Sequence, residues 1–293
     1  PDPILRTPDL GTPDLGLRTP ELYLTFLLFN HSQNYSTTVV CQGACRTPSL
    51  RKGGTAPPGR AASPHQLRRT APPPTLNGMP LLFCQTCRMA AETLHLSDTD
   101  FEIHKVVVGD FENNVFVLRC RHTGDSVLID AANEHDLLLD LAGNLGVRKV
   151  LETHGHWDHI QAIPQMRDAG YSVGVTNEDA SMLDSYDEIL EHDTVMEVGE
   201  LRLRTIKTPG HTPGSICFRL EGKPVLFSGD TLFPGGPGAT GLEGGDFDTI
   251  ITSIEDLLFA ELPADTMVLP GHGEDTTIGA ESPQLQEWID RRW

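Results

Sequence analysis

Basic residues are scarce in this chain. Only 22 lysines and arginines stand against 41 aspartates and glutamates among 293 residues, a formal net charge of −19. Such a surface repels phosphate backbones and anionic headgroups, so neither a nucleic-acid partner nor a membrane partner is expected. Long apolar runs are also missing. The stretch from Tyr23 to Phe29 is far shorter than the roughly 20 residues a membrane span needs. It has no basic flank before it and no small-residue cleavage site after it, so it does not read as a signal peptide. Cysteine is sparse, with six in all, and nothing demands an oxidising compartment; a cytoplasmic location is the expectation. Cys120 and Cys217 fall in strand-like runs, where a free thiol behaves as a small core hydrophobe. Cys41-x-x-x-Cys45 and Cys84-x-x-Cys87 are paired thiols of the kind that chelate zinc, but the proline-rich gap between the pairs argues against one compact site.

The charge that is present is unevenly spread. Residues 1–90 hold 13 of the 22 prolines and 9 Lys/Arg against 4 Asp/Glu, a net of +5. The remainder holds 13 Lys/Arg against 37 Asp/Glu, a net of −24. The first region repeats Thr7-Pro8-Asp9-Leu10-Gly11 as Thr12-Pro13-Asp14-Leu15-Gly16 and is rich in Pro, Gly, Ala and Arg from Arg51 to Pro74. Such composition buries too little apolar surface to offset ordering entropy. Residues 1–90 are therefore expected to be a disordered or non-native extension, with Met79 or Met89 nearer the natural start. Residues 91–293 are expected to form the catalytic domain.

Within that domain, Phe101 to Val108, Asn114 to Cys120 and Ser126 to Asp130 read as three strands, the first two joined by a Gly-Asp turn. Asn133 is the expected cap of a helix ending at Gly146. A strand follows from Val147, then a helix from His159 to about Ala169. A short strand covers Tyr171 to Thr176, and a helix is expected from Glu178 to Asp187. Leu201 to Ile206, Ser215 to Leu220 and Pro224 to Phe227 are further strands. Asp246 caps a helix carrying Ile250, Ile251, Ile254, Leu257 and Leu258. Met267 to Leu269 is a last strand, and a final helix runs from Ile278 to about Arg292. Meandering early strands argue against a simple doubly wound parallel sheet and for two sheets with helices outside.

The chemistry is concentrated in Thr153-His154-Gly155-His156-Trp157-Asp158-His159. At a strand end, His154 and His156 face the same way because extended residues alternate. Asp158 and His159 follow in the turn and face a second point. Three more ligand types sit on turns after apolar runs: His211 in Thr208-Pro209-Gly210-His211, Asp230 in Ser228-Gly229-Asp230, and His272 in Pro270-Gly271-His272. Seven nitrogen and oxygen ligands on four strand-end loops suit a two-metal hydrolytic site on a rigid scaffold.

His154-x-His156-x-Asp158-His159, followed in order by His211, Asp230 and His272, resembles the metallo-β-lactamase superfamily over roughly residues 100–293. The resemblance implies an α+β four-layer αββα sandwich. It implies that His154, His156 and His211 bind one metal, that Asp158, His159 and His272 bind a second, and that Asp230 bridges both. Two divalent ions are implied, zinc foremost, with iron or manganese as alternatives. Such a pair lowers the pKa of a bridging water from about 15.7 towards 7, so that hydroxide attacks a carbonyl, with Asp230 orienting it and Asp158 a weak proton acceptor. Trp157 and Phe233 wall the pocket or pack as apolar rim.

Gly229-Asp230-Thr231-Leu232-Phe233 and Gly271-His272-Gly273-Glu274-Asp275-Thr276-Thr277-Ile278-Gly279 resemble type II glyoxalases, closest to the single-domain bacterial hydroxyacylglutathione hydrolases. That implies thioester or ester hydrolysis of a small molecule. Two departures stand out: only one helix follows His272, and Gly236-Pro237-Gly238-Ala239-Thr240-Gly241 replaces an arginine-bearing loop. A lactonase or β-lactamase on the same metal pair, or a mono-iron persulfide dioxygenase, are the alternatives.

Overall fold

Alternation along single strands builds the layers. A computed structural model describes residues 92–292. In β3 (Asn113–Cys120), Val115 and Val117 enter one apolar layer, while Phe116, Leu118 and Cys120 enter another. Successive strand side chains point to opposite faces, so a strand apolar at every position must be covered on both sides. The same division runs through β10 (Ile216–Leu220), where Ile216, Phe218 and Leu220 face the first sheet and Cys217 faces away.

One sheet has seven strands in chain order: β1 (Leu94–Ser97), β2 (Phe101–Val108), β3, β4 (Ser126–Ile129), β5 (Val147–Leu151), β6 (Ser172–Thr176) and β7 (Glu188–Leu190). It begins as an antiparallel meander and becomes parallel from β4 onward. The second sheet runs β15 (Thr276–Thr277), β14 (Met267–Pro270), β11 (Val225–Gly229), β10, β9 (Leu201–Lys207) and β8 (Val195–Val198). A two-stranded ribbon, β12 (Leu232–Phe233) with β13 (Gly236–Pro237), stands apart.

Three apolar layers separate four layers of structure. The middle one lies between the sheets, with Phe116 and Phe227 in edge contact at 5.5 Å. The layer outside the first sheet takes Leu138, Leu141 and Leu145 of α1 (His135–Leu145) and Met166 of α3 (Ile163–Asp168). Outside the second sheet it takes Ile250, Ile251, Ile254 and Leu258 from α4 (Phe247–Ser253) and its wider i→i+5 continuation Ile254–Phe259, together with Trp288 of α6 (Leu285–Arg291). This is the expected αββα sandwich, and Cys120 and Cys217 are buried free thiols within it.

Several local expectations are corrected. No helix spans Glu178 to Asp187: the chain makes a turn, one 3₁₀ turn at Ala180–Met182, and bends into β7. Asp179 explains this, because its carboxylate accepts hydrogen bonds from other loops and is spent on tertiary structure rather than on a helix of its own. Asn133 is not the cap of α1. Glu134 occupies that position in the left-handed region at φ 50°, while Asn133 donates to Gln161 Oε1 at 2.8 Å. The helix expected from His159 divides into α2 (Trp157–Ile160) and α3, whose second residue is Pro164. The last helix divides likewise into α5 (Ile278–Glu281), a 3₁₀ turn containing Pro283, and α6. A proline lacks the N–H that would continue the helical ladder, so each break has a covalent cause. β1, β7 and β8 are short strands that sequence pattern did not signal.

The expectations for residues 1–90, including the Cys41, Cys45, Cys84, Cys87 knuckle, lie outside the described residues. Among those described, no helix is long and apolar enough to cross a membrane.

Candidate metal centre

Four loops from both sheets meet at one rim. β5 of the first sheet ends at Leu151 and delivers His154, His156, Asp158 and His159; the last two lie on the single turn of α2. β9, β11 and β14 of the second sheet deliver His211, Asp230 and His272. His156 precedes α2 in extended conformation, φ −62° and ψ 143°, and its ring packs edge-on to His154 at 4.8 Å. The seven predicted ligands converge into three overlapping groups: His154–His156–His211, His154–His159–Asp230 and Asp158–His159–His272. Within each group the donor atoms lie within 4.8 Å of one another.

The outer nitrogen of four of the five histidines is fixed by a partner, which sets the tautomer of the inner one. His159 Nδ1–H donates to Asp130 Oδ2 at 2.9 Å, His211 Nδ1–H to the Ala239 carbonyl at 2.7 Å, and His272 Nδ1–H to the Phe111 carbonyl at 2.8 Å. The Thr153 hydroxyl donates to Asp130 Oδ2 at 2.9 Å, so it accepts from His154 Nδ1–H at 3.0 Å. His154, His159, His211 and His272 therefore aim Nε2 lone pairs inward. His156 presents Nδ1 instead, 2.9 Å from His211 Nε2. The Nε2 atoms of His159 and His272 are 3.1 Å apart. Two converging lone pairs repel unless a proton or a cation lies between them.

Of the eight buried side-chain polar atoms without a hydrogen-bond partner among the described residues, two belong to this cluster: His154 Nε2 and Asp230 Oδ1. An unsatisfied buried polar atom costs on the order of 1–3 kcal/mol, so its retention points to a ligand. Imidazole nitrogens and carboxylates are donors that suit zinc and the neighbouring first-row divalent ions. The residues fit a metal pair. Asp230 lies between the groups, with Oδ1 3.6 Å from His159 Nε2 and Oδ2 3.5 Å from both His211 and His272.

Charge divides the cluster. Burial, with His159 and His211 beside it, pushes His154 well below the usual imidazole range. Burial and His211 lower His156. Burial alone would lower His159, but the carboxylates of Asp230 and Asp130 outweigh it and raise the group well above its ordinary value. Burial is likewise outweighed at His272, raised by Asp158 and Asp230. The carboxyls of Asp158 and Asp230 are lowered against burial by the histidines around them, His272 chiefly for Asp158 and His159 for Asp230.

Supporting residues emerge that sequence pattern did not single out. Asp130, at φ 64°, accepts from the Thr153 backbone and hydroxyl as well as from His159. Asp179 is fully buried and accepts from Gly155 N–H, Gly214 N–H and Thr212 Oγ1–H, tying the first ligand loop to the His211 loop. Asn113 donates to Asp158 Oδ2 at 2.9 Å. An acid closing the apolar run Ser126 to Asp130 is a readable signal; Asp179 and Asn113 carry none. Gly271 is required sterically, since a Cβ there would sit 2.2 Å from Asp230 Oδ1. Trp157 is exposed and lies edge-on to Phe111 at 5.2 Å. Phe233 is half-buried, 6.5 Å from the His272 ring.

A family model described as the metallo-beta-lactamase superfamily matches residues 108–272, more than half of the chain. The chain belongs to the metallo-β-lactamase superfamily. Within that superfamily, it is 37% identical over 155 residues to a probable metallo-hydrolase, YqgX, of Bacillus subtilis, covering 46% of this chain and 72% of the relative. It is 30% identical over 181 residues to the hydroxyacylglutathione hydrolase GloC of Haemophilus influenzae, covering 54% and 84%. The solved structure of TTHA1623 in a di-iron-bound form superposes with a TM-score of 0.55 at 28% identity, covering 61% of this chain and 96% of that one.

Proposed function

We propose that this superfamily member is a dinuclear metal hydrolase acting on a thioester or ester carbonyl of a small molecule. The observation that carries the reading is the position of Asp230, one carboxylate in contact distance of histidines from both ligand groups. His154, His156 and His211 would hold one ion, Asp158, His159 and His272 the other, with Asp230 shared. Zinc is the expected occupant, with iron or manganese as alternatives; the relative in di-iron form favours a pair over a single ion. When bound, such ions supply Lewis acidity, bringing the ionisation of a water from about 15.7 towards 7 and polarising a carbonyl.

The chain's own residues set up the rest. Asp130, Ala239 and Phe111 hold the imidazoles in the tautomers that present lone pairs inward. Asp230 stays ionised despite burial and can orient the attacking water. Asp158, half-buried, is anchored by Asn113 through Oδ2 and leaves Oδ1 to accept a hydrogen bond. In the net reaction the water oxygen joins the acyl carbon, the C–S or C–O bond breaks, and a water proton passes to the leaving thiolate or alkoxide. No protein nucleophile is needed. The acidic surface argues against polyanion and membrane partners, and the buried free thiols Cys120 and Cys217 suit a cytoplasmic setting.

Metal counting and substrate screening on one preparation of the full chain test the reading. About two ions per chain with thioester or ester turnover supports it. One iron with oxygen uptake on glutathione persulfide overturns it. Two ions with activity confined to a homoserine lactone or a cephalosporin keeps the metal chemistry and replaces the substrate.

A further inference from the structure

The loops around the centre are uniform in sign. Residues 109–114, 153–163, 177–187, 208–215, 230–250 and 270–280 contain thirteen aspartates and glutamates and no lysine or arginine. Among the described residues, the cations that reach these loops are already engaged. Lys207 pairs with Glu178 at 2.9 Å, and Lys105 donates to the Gly273 carbonyl at 3.0 Å with Asp275 beyond it. Asp110, Glu112, Asp184, Glu243 and Glu274 are exposed and form no ion pair among the described residues.

A second observation is independent of charge. Phe111 and Trp157 are 57% and 59% exposed and meet edge to face at 5.2 Å. Both are tied to the centre, Phe111 through its carbonyl on His272 and Trp157 by lying between the ligands His156 and Asp158. Exposed aromatic rings beside an unsatisfied buried cluster form an apolar wall, able to take a hydrocarbon group or the face of a cation.

We infer that the substrate's leaving half bears no negative charge and carries an apolar or cationic group that packs on Phe111 and Trp157. The inference rests on the hydrolase reading above. A dianionic carrier such as glutathione would enter a field of its own sign, in a rim where, among the described residues, the guanidinium and ammonium groups that reach its loops are already paired: Arg167 with Asp187, Arg292 with Asp248 and Lys207 with Glu178. The aromatic wall supplies contact area in place of that charge.

The test compares three lactoyl thioesters with the same scissile bond on the full-length, metal-loaded protein: of glutathione (anionic), of N-acetylcysteamine (uncharged) and of thiocholine (cationic). At low salt the last two should exceed the first by about tenfold or more in kcat/KM, within the range electrostatic steering gives. The gap should narrow in 1 M salt, where the Debye length falls to about 3 Å. Glu112→Lys should raise kcat/KM for the glutathione thioester severalfold and leave the uncharged one unmoved. Phe111→Ala should raise KM for the uncharged thioester more than it lowers kcat. Glutathione thioester hydrolysed as well as or better than the others overturns the inference while leaving the hydrolase intact. No hydrolysis of any of the three overturns the thioesterase form of the hydrolase reading and this inference with it.

Discussion

The two ligand groups are made of similar parts and set in opposite fields. His154, His156 and His211 are three imidazoles, of which His154 and His211 have a hydroxyl and a carbonyl as outer contacts while His156 and His211 face each other. Burial and mutual repulsion push His154 and His156 down. Asp158, His159 and His272 include a carboxylate and face Asp130 and Asp230, so His159 and His272 are pushed up. His154 and His156 therefore stay deprotonated, as metal ligation needs, further into acid than an ordinary imidazole. His159 and His272 hold protons more strongly than ordinary imidazoles, so metal must compete with protons there. Neighbouring sites built from the same residue types can therefore differ in acid resistance because of what lies one contact further out.

Removing what the groups share should have the largest effect. On the proposed two-ion reading, Asp230→Ala should remove the shared ligand and several kcal/mol of Lewis-acid stabilisation, on the order of 10³-fold in kcat/KM; metal analysis and hydrolysis rates check it. His154→Ala and His272→Ala then separate the groups. The first should empty the three-imidazole group, and the second should leave one ion bound; metal counts that fall equally in both variants would break the distinction.

Asp179→Ala comes next. It contacts no predicted ligand side chain but ties two ligand loops together, and loss of such outer support typically costs about 10–100-fold in metal affinity. Competition with a chelator measures it, and unchanged far-ultraviolet dichroism would separate it from unfolding. Acidification is the subtler probe. His159 and His272 have raised values, so they take up protons first as pH falls, whereas the depressed His154 and His156 do so last. Bound metal should drop from about two ions per chain to about one before the rest is released; simultaneous release would remove the comparison's physical basis. Smallest is Trp157→Phe, which keeps an apolar ring and should change KM by no more than about threefold, since only part of an exposed contact is lost.

The layered fold was legible because strands such as Asn113–Cys120 are apolar on both faces and the ligand-bearing turns are marked by glycine and proline. The seven candidate ligands that converge on one rim were legible from spacing and order. What was not legible depends on contacts across the chain. Asp179 sits in a stretch whose local pattern reads as a helix, yet its partners are Gly155, Thr212 and Gly214. Asn113 opens a strand like any other until Asp158 is brought beside it. The short strands β7 and β8 are defined by their neighbours, and three or four residues carry no period of their own.

His159 and His272 meet across 113 residues of chain, one from each sheet. Closing so long a segment must be offset by packing before the contact rewards it. The centre is thus a late product of folding, assembled only when the two sheets have docked. A metal bound there should leave the refolding rate almost unchanged and slow unfolding instead, acting as a clasp on a finished structure rather than as a seed for it.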